Sequence, residues 1–414
     1  MFHSAELFDD VSGSNRKGVV RTPQGDASRM KKRVPRLLMV TTVPVTLTAF
    51  LLPYAAYLRR KGWGVDAATA IDSSDLNAHF DTVYDIPWSR SIRNPRGLAV
   101  ATRQIRRVLT ENDYDVVHVH TPIASFVTRA VCGSLPAKRR PRIVYTAHGF
   151  HFHPDGHKAT NKAFEMAEKL ASRWCDRLLV INQTDFDAAV RLKLAPRGQV
   201  LQFPGIGVDL DWYRPSAELM CAAQELRSQL GIKQDDVVFS DIAEMTPRKN
   251  HETVLRAFAL ANDARYHLVL AGDGELRQEL EAEVVRIGVA DRVHFLGKLR
   301  DVRPLLLASA ASILPSRREG LPRVVLESLA MGIPMIGSRI RGITELIGDD
   351  GGAIVDADDA QGMAEAMHRF ARTELGPALP PSVAERMRDY SIENLLELHE
   401  NLYCELMSGA LQRK

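Results

Sequence analysis

Apolar residues in this chain gather in short continuous runs, the pattern that parallel strands buried on both faces require. Arg36-Leu-Leu-Met-Val40 is the first run; a polar loop, Thr41-Thr-Val-Pro-Val-Thr46, follows, then a helix through about Lys61 and a second strand, Gly64-Val-Asp-Ala-Ala-Thr69. Tyr114–His120 and Arg142–Thr146 read as two more strands with polar tips, Thr121-Pro122 after one and Ala147-His-Gly-Phe-His-Phe-His153 after the other. A helix around Asn161–Cys175 leads to a strand over Arg177–Ile181. Asn182, with Thr184 and Asp185 behind it, then reads as a helix N-cap. Strand, loop, helix, strand is the order of a Rossmann-type half. The first loop has no G-x-G-x-x-G, which argues against a nicotinamide or flavin site.

Pro204-Gly-Ile-Gly-Val-Asp209 and Tyr213-Arg-Pro215 break the periodicity. A second set of elements follows: strand Val237–Ile242, loop Ala243–Asn250, helix His251–Ala261, and strand Tyr266–Ala271 with its turn Gly272-Asp-Gly274. Strands at Val293–Gly297, Ala310–Leu314 and Ile333–Gly337 come next, and an amphipathic helix over Ile392–Leu406 closes the chain. Between two of these strands lies Leu314-Pro-Ser-Arg-Arg-Glu-Gly-Leu-Pro-Arg-Val-Val-Leu-Glu327. Pro322 suits the first turn of a helix, and Val324, Val325, Leu326, Leu329 and Ala330 give that helix a buried face. A strand that stops where a helix starts leaves backbone N–H groups aimed at one spot. Glu319 and Glu327 stand eight residues apart, about two helical turns, so both can face one cleft at different depths. A helix with a solvated acid at each end is the plainer reading.

Composition sets limits on what such a site can serve. With 414 residues, 45% hydrophobic and 25% charged, the chain has the balance of a soluble globular protein with two or three domains. Residues 1–210 hold 30 Lys and Arg against 19 Asp and Glu, whereas the remainder holds 24 against 32. A basic first half suits an anionic partner. No aromatic-studded or recognition-helix motif accompanies it, which argues against nucleic acid. Cysteines 132, 175, 221 and 404 have no metal or redox spacing and read as reduced thiols in a cytoplasmic protein. Residues 1–33 lack an apolar stretch, so a disordered tail rather than a secretory signal is expected. The longest apolar segment, Ala49–Leu58, is too short to span a bilayer and ends in Arg59-Arg-Lys61. It reads as an amphipathic helix, with contact to an anionic inner-membrane surface as a second role.

The pattern Pro-Ser-x-x-Glu-Gly-x-Pro-x-x-x-x-Glu, followed by Ala330-Met-Gly-Ile-Pro334 and Gly342-Ile-Thr-Glu-Leu346, resembles the donor-binding segment of glycosyltransferase family 4. The resemblance runs from about Arg36 to Leu395. It implies an α/β protein of the GT-B type, with two facing Rossmann-like domains and a cleft between them. These would be an acceptor-side domain over 34–205, a hinge at 206–216, a nucleotide-sugar domain over 217–388, and a C-terminal segment, 389–414, packing back on the first domain. The implied activity is retaining transfer of a sugar from a nucleotide-sugar, expected to be a UDP-sugar, to a glycan acceptor. A polyprenyl-pyrophosphate-linked acceptor in bacterial capsule, exopolysaccharide or O-antigen assembly is the expected setting.

By the same resemblance Lys249 and Arg248 neutralise the donor diphosphate, helped by backbone around Gly320, Leu321 and Pro322. Glu244 stands where the commoner family pattern has Arg, so Arg248 would supply the second cation from another point on the loop. Glu327 would hold the ribose and Glu319 the sugar hydroxyls, while the loop carrying Leu299 meets the base. His148, in Thr-x-His-Gly, would position the sugar and stabilise charge. Acceptor-side candidates are Thr42, Thr46, His120 and His148, in a first loop without the Gly-Gly pair of many members; His151 and His153 stay open. No cofactor or metal is required in this reading, and no H-E-x-x-H or cysteine partner supports zinc at the histidine-rich loop. Two other readings share the fold: a UDP-sugar 2-epimerase, and a non-catalytic partner that binds nucleotide-sugar without turnover.

Overall fold

The computed structural model describes residues 33–71, 76–88, 94–152, 157–195, 199–372 and 379–409. The tail expected over 1–33 falls almost wholly outside the described residues, as does His153. Pro35–Lys414 forms one compact unit built on two parallel sheets. The strands of the first are β1 Arg36–Val40, β2 Gly64–Thr69, β3 Val83–Asp85, β4 Val116–Val119, β5 Arg142–Ala147, β6 Arg177–Val180 and β7 Gln199–Gln202. They run in the order β3-β2-β1-β4-β5-β6-β7. The second holds β8 Val237–Ile242, β9 Tyr266–Ala271, β10 Val293–Gly297, β11 Ala311–Leu314, β12 Met335–Ser338 and β13 Gly352–Val355, ordered β10-β9-β8-β11-β12-β13.

The apolar runs explain why these sheets are parallel and covered. All of β4, β6, β9, β11 and β12 is buried. Burying each Val, Leu or Ile contributes roughly 1.5–3 kcal/mol. Both sheets reverse strand order once, between β1 and β4 and between β8 and β11. Ligands of such sheets bind outside the carboxyl ends of the strands at this reversal. In the first sheet those ends lead into Thr41-Thr42 and His120-Thr121; in the second they lead into Ala243–Asn250 and Pro315–Gly320.

Several boundaries differ from the expected ones. The loop expected through Thr46 already turns helical at Pro44, whose ring fits the start of a helix. A π segment, Leu47–Leu51, joins this turn to the helix Leu52–Arg60. Pro53 has no N–H to offer the Ala49 carbonyl, which instead accepts from Arg323 at 3.0 Å. Pro322 is the N-cap of the helix Arg323–Ala330 rather than part of its first turn, with extended backbone. The helix expected at Asn161–Cys175 spans Lys158–Ala171 and closes in a 3-10 turn, Ser172–Trp174. The strand expected at Ile333 starts at Met335, because the Ile333 amide still bonds Ser328 O at the end of the preceding helix. The helix Ile392–Ser408 lies against the first sheet's elements, where Tyr57 donates to Glu400 at 2.6 Å and Arg177 to Glu405 at 3.0 Å. Its approach pairs with the segment leaving β7: Val208 N bonds Tyr390 O and Ile392 N bonds Val208 O, both at 2.9 Å.

Candidate active site

The carboxyl ends of the two sheets meet at backbone distance. A Cβ placed on Gly320 would lie 2.2 Å from the His148 carbonyl oxygen, so only glycine fits there. At the neighbouring Gly205 a Cβ would fall 2.3 Å from Leu321 Cδ2. Asn182, the cap expected from sequence, bonds the Asp185 amide at 2.8 Å and also reaches Gly320 O at 3.4 Å. Arg341 ion-pairs with buried Asp185 and donates to Phe150 O. Glu345 accepts from the Gln183 amide at 3.2 Å, and burial raises the Glu345 carboxyl above its ordinary range.

Beside this contact a cavity of about 290 Å³ opens between the halves. Thr46, Phe50, His120, Thr121, His148 and His151 line one wall, and Glu319, Gly320 and Leu321 the other. The second wall is ionic. Glu319 Oε1 accepts from Lys249 Nζ at 2.7 Å and from Arg248 at 3.1 Å. Arg248 also reaches the Arg318 carbonyl, and Arg317 N returns a bond to Arg248 O. The loop holding both cations is fixed by Asn250, which takes a left-handed φ of 62° and donates to Pro315 O and Ala357 O.

The first wall is aromatic and uncharged. His120 Nδ1 lies 3.4 Å from His148 Nε2. Behind them the His118 ring lies against His120, tilted by 35° with centroids 4.0 Å apart, and His399 stacks on His118 at 5.7 Å. His118 is held between Tyr403 OH at 2.6 Å and Thr146 Oγ1 at 2.7 Å. Desolvation pushes His148 and His399 down to about 4 and takes His118 and His120 well below the usual imidazole range. These rings are neutral at physiological pH.

Of the other sequence candidates, Thr42 is buried and bonds Thr121 through both its amide and its hydroxyl, so it joins two loops without lining the cavity. Leu299 packs its side chain against the cluster of Ile232, Val238 and Leu305, leaving its backbone as what Leu299 itself can offer. Glu327 is buried, and its Oε1 accepts from Tyr213 at 2.6 Å and Arg323 at 2.7 Å. Among the described residues no group of three or more His, Cys, Asp and Glu could hold a metal ion. All four cysteines are unpaired. No described helix is long and apolar enough to cross a membrane.

Sequence reasoning missed Tyr213, Arg323, His118, Arg341 and the column ending at His399. Two carried a local signal: Arg323 stands four residues before Glu327 on one helix, and His118 shares a strand face with His120. Tyr403, Arg341 and His399 reach their partners only through the tertiary fold.

Residues 50–209 match Glycosyltransferase Family 4 and residues 222–393 match Glycosyl transferases group 1. A Bacillus subtilis (strain 168) protein bearing the glycosyltransferase name EpsD is 30% identical over 338 residues, covering 81% of this chain and 87% of that one. The UDP-Gal:alpha-D-GlcNAc-diphosphoundecaprenol alpha-1,3-galactosyltransferase of Escherichia coli is 26% identical, covering 64% of this chain and 68% of its own. Among solved structures, Anabaena HepE in complex with UDP superposes with a TM-score of 0.71 at 20% identity, covering 89% of this chain and 99% of that chain. Matched families, relative and fold agree: the chain belongs to glycosyltransferase family 4 and is a glycosyltransferase of the GT-B fold.

Proposed function

We propose that this glycosyltransferase moves a sugar, with retention, from a UDP-sugar to a glycan acceptor carried on polyprenyl pyrophosphate in bacterial polysaccharide assembly. The observation that carries the reading is the convergence of Lys249 and Arg248 on Glu319, in the wall of a cleft whose opposite side holds His120 and His148. The donor diphosphate takes over the two cations, and Glu319 turns to the sugar hydroxyls. Backbone N–H groups near Gly320 and Leu321 add to the charge stabilisation, Pro322 having none to give. Glu327, steadied by Tyr213 and Arg323, meets the ribose. The acceptor hydroxyl forms the new bond to the anomeric carbon as the bond to the phosphate oxygen breaks, and that oxygen takes the hydroxyl proton on the same face. Neutral His148 positions the sugar beside this exchange and is not its base.

Two relatives support the lipid-linked acceptor by their names: the galactosyltransferase above and a diNAcBac-PP-undecaprenol N-acetyl-D-galactosaminyltransferase of Campylobacter jejuni. UDP in the HepE structure supports the nucleotide. The test is a screen of UDP-, GDP- and ADP-sugars with the purified protein and lipid-linked acceptors, following nucleotide release with excess EDTA and without it. Turnover of a UDP-sugar, unchanged by EDTA and lost in Glu319→Ala, is expected. Turnover of only GDP- or ADP-sugars, or a requirement for metal, would overturn the corresponding part.

A further inference from the structure

The helix Lys158–Ala171 and its closing turn present a predominantly cationic surface to solvent. Lys158, Lys162, Lys169 and Arg173 are exposed on it, as are Met166 at 64% and Leu170 at 43%. At roughly 100° per residue the three lysines fall within about 40° of one another, and Arg173 follows in the closing turn. Ala159, Met166, Leu170 and Ala163 occupy the next arc of about 60°. Of the two acids of the helix, Glu168 turns away from this surface, whereas Glu165 stands at the edge of the cationic ridge. Glu168 pairs at 2.8 Å with the fully buried Arg129, and half-buried Glu165 leans on Lys162 at 3.4 Å. The inner side of the helix borders the cleft, since Phe164 packs on the His151 ring with centroids 5.3 Å apart and His151 lines the cavity.

The segment singled out from sequence for membrane contact is less suited. Leu51, Tyr54, Ala55 and Leu58 point into the core, while Arg59 pairs with Asp81 at 3.1 Å and Lys61 with Glu400 at 3.5 Å.

We propose that the 158–173 face docks the protein on an anionic phospholipid surface, its apolar ridge entering the headgroup boundary and its cationic ridge meeting the headgroups. Charge complementarity and the adjoining apolar arc both select this occupant. The docked face sets the cleft mouth at the height of a polyprenyl pyrophosphate, and in this respect it rests on the acceptor proposed above.

The test is sedimentation of the full-length protein with vesicles of phosphatidylcholine alone or mixed with phosphatidylglycerol, without donor or acceptor. Binding only to the phosphatidylglycerol vesicles, weakening with added salt, is expected. Each cation near such a surface contributes about fivefold, so Lys162→Gln/Lys169→Gln/Arg173→Gln together should weaken binding on the order of 100-fold. Met166→Ser/Leu170→Ser should weaken it as well, and Arg59→Gln/Lys61→Gln should leave it unchanged. Arg59, Lys61 and Lys162 pair only with acids that are themselves at least partly exposed, and circular dichroism checks that each variant folds. The proposal is overturned if the wild type ignores phosphatidylglycerol vesicles, if the triple variant binds like wild type, or if the 59/61 variant carries the loss. Because no substrate is present, failure here leaves the transfer reaction standing, and failed transfer to lipid-linked acceptors leaves vesicle binding standing.

Discussion

The two sheets reverse strand order in the same way, yet the sites at their reversals are built from opposite chemistry. At the β8/β11 reversal two cations and a carboxylate share one oxygen at 2.7–3.1 Å. At the β1/β4 reversal stand threonines and a stack of imidazoles that desolvation keeps uncharged. One topology therefore supplies two places where backbone ends converge, and side chains decide what each can hold. The ionic one suits a diphosphate; the neutral one suits hydroxyls and a sugar ring, where a fixed charge would carry a desolvation cost.

The sharpest way to break this comparison is to remove charge from the ionic side. Lys249→Ala should lower kcat/KM by on the order of 10²–10³, the usual effect of losing one group that stabilises developing charge. A value near wild type, measured by nucleotide release, would mean the donor lies elsewhere. Next in size is the contact that joins the two sites. Gly320→Ala sets a methyl against the His148 carbonyl, and a displacement of about 1 Å should cost on the order of 10² in turnover. Nucleotide affinity, read by UDP titration, should change much less.

The ionic site was more legible in the sequence than the neutral one, for a physical reason. Arg248, Lys249 and Glu319 come from two short loops, each following an apolar strand run; the strand-to-helix junction before Pro322 suits an anion or hydroxyls on its own, and the resemblance to the family's donor-binding segment assigns the two cations. The imidazole column takes His118 from β4 and His120 from just past its end, His148 from the loop after another strand, and His399 with Tyr403 from the last helix. No spacing along the chain announces that assembly. The strand and helix order was likewise readable from apolar runs, whereas in the π segment the Ala49 carbonyl, which Pro53 cannot bond, accepts from Arg323 far along the chain. Thr42 illustrates the converse: a polar residue at a strand end can serve to tie loops together rather than face the cleft.

Smaller effects refine the account. Tyr213→Phe leaves Glu327 with Arg323 as its partner, and a hydrogen bond to a charged group contributes about 1.5 kcal/mol. The expected result is about a tenfold rise in KM for the nucleotide-sugar with little change in kcat; a loss confined to kcat would move Glu327 away from the ribose. The neutral column predicts a pH dependence of stability. His399 is held at about 4 in the folded protein against 6.5 ordinarily. As pH falls through that window the unfolded chain takes up a proton that the folded chain does not, so stability is complete above pH 6.5 and declines toward pH 4. The slope is about 1.4 kcal/mol per pH unit per histidine, and denaturant titrations of His399→Gln should show a shallower decline. An unchanged slope would mean that His399 does not stay neutral there.

The division of labour between the two sites is tested most directly by UDP-induced thermal stabilisation of the wild type, Lys249→Ala and His148→Ala. UDP should raise Tm for the wild type and for His148→Ala and fail to do so for Lys249→Ala. Stabilisation of Lys249→Ala equal to wild type, or loss of stabilisation in His148→Ala, would contradict the assignment of the nucleotide to the ionic site.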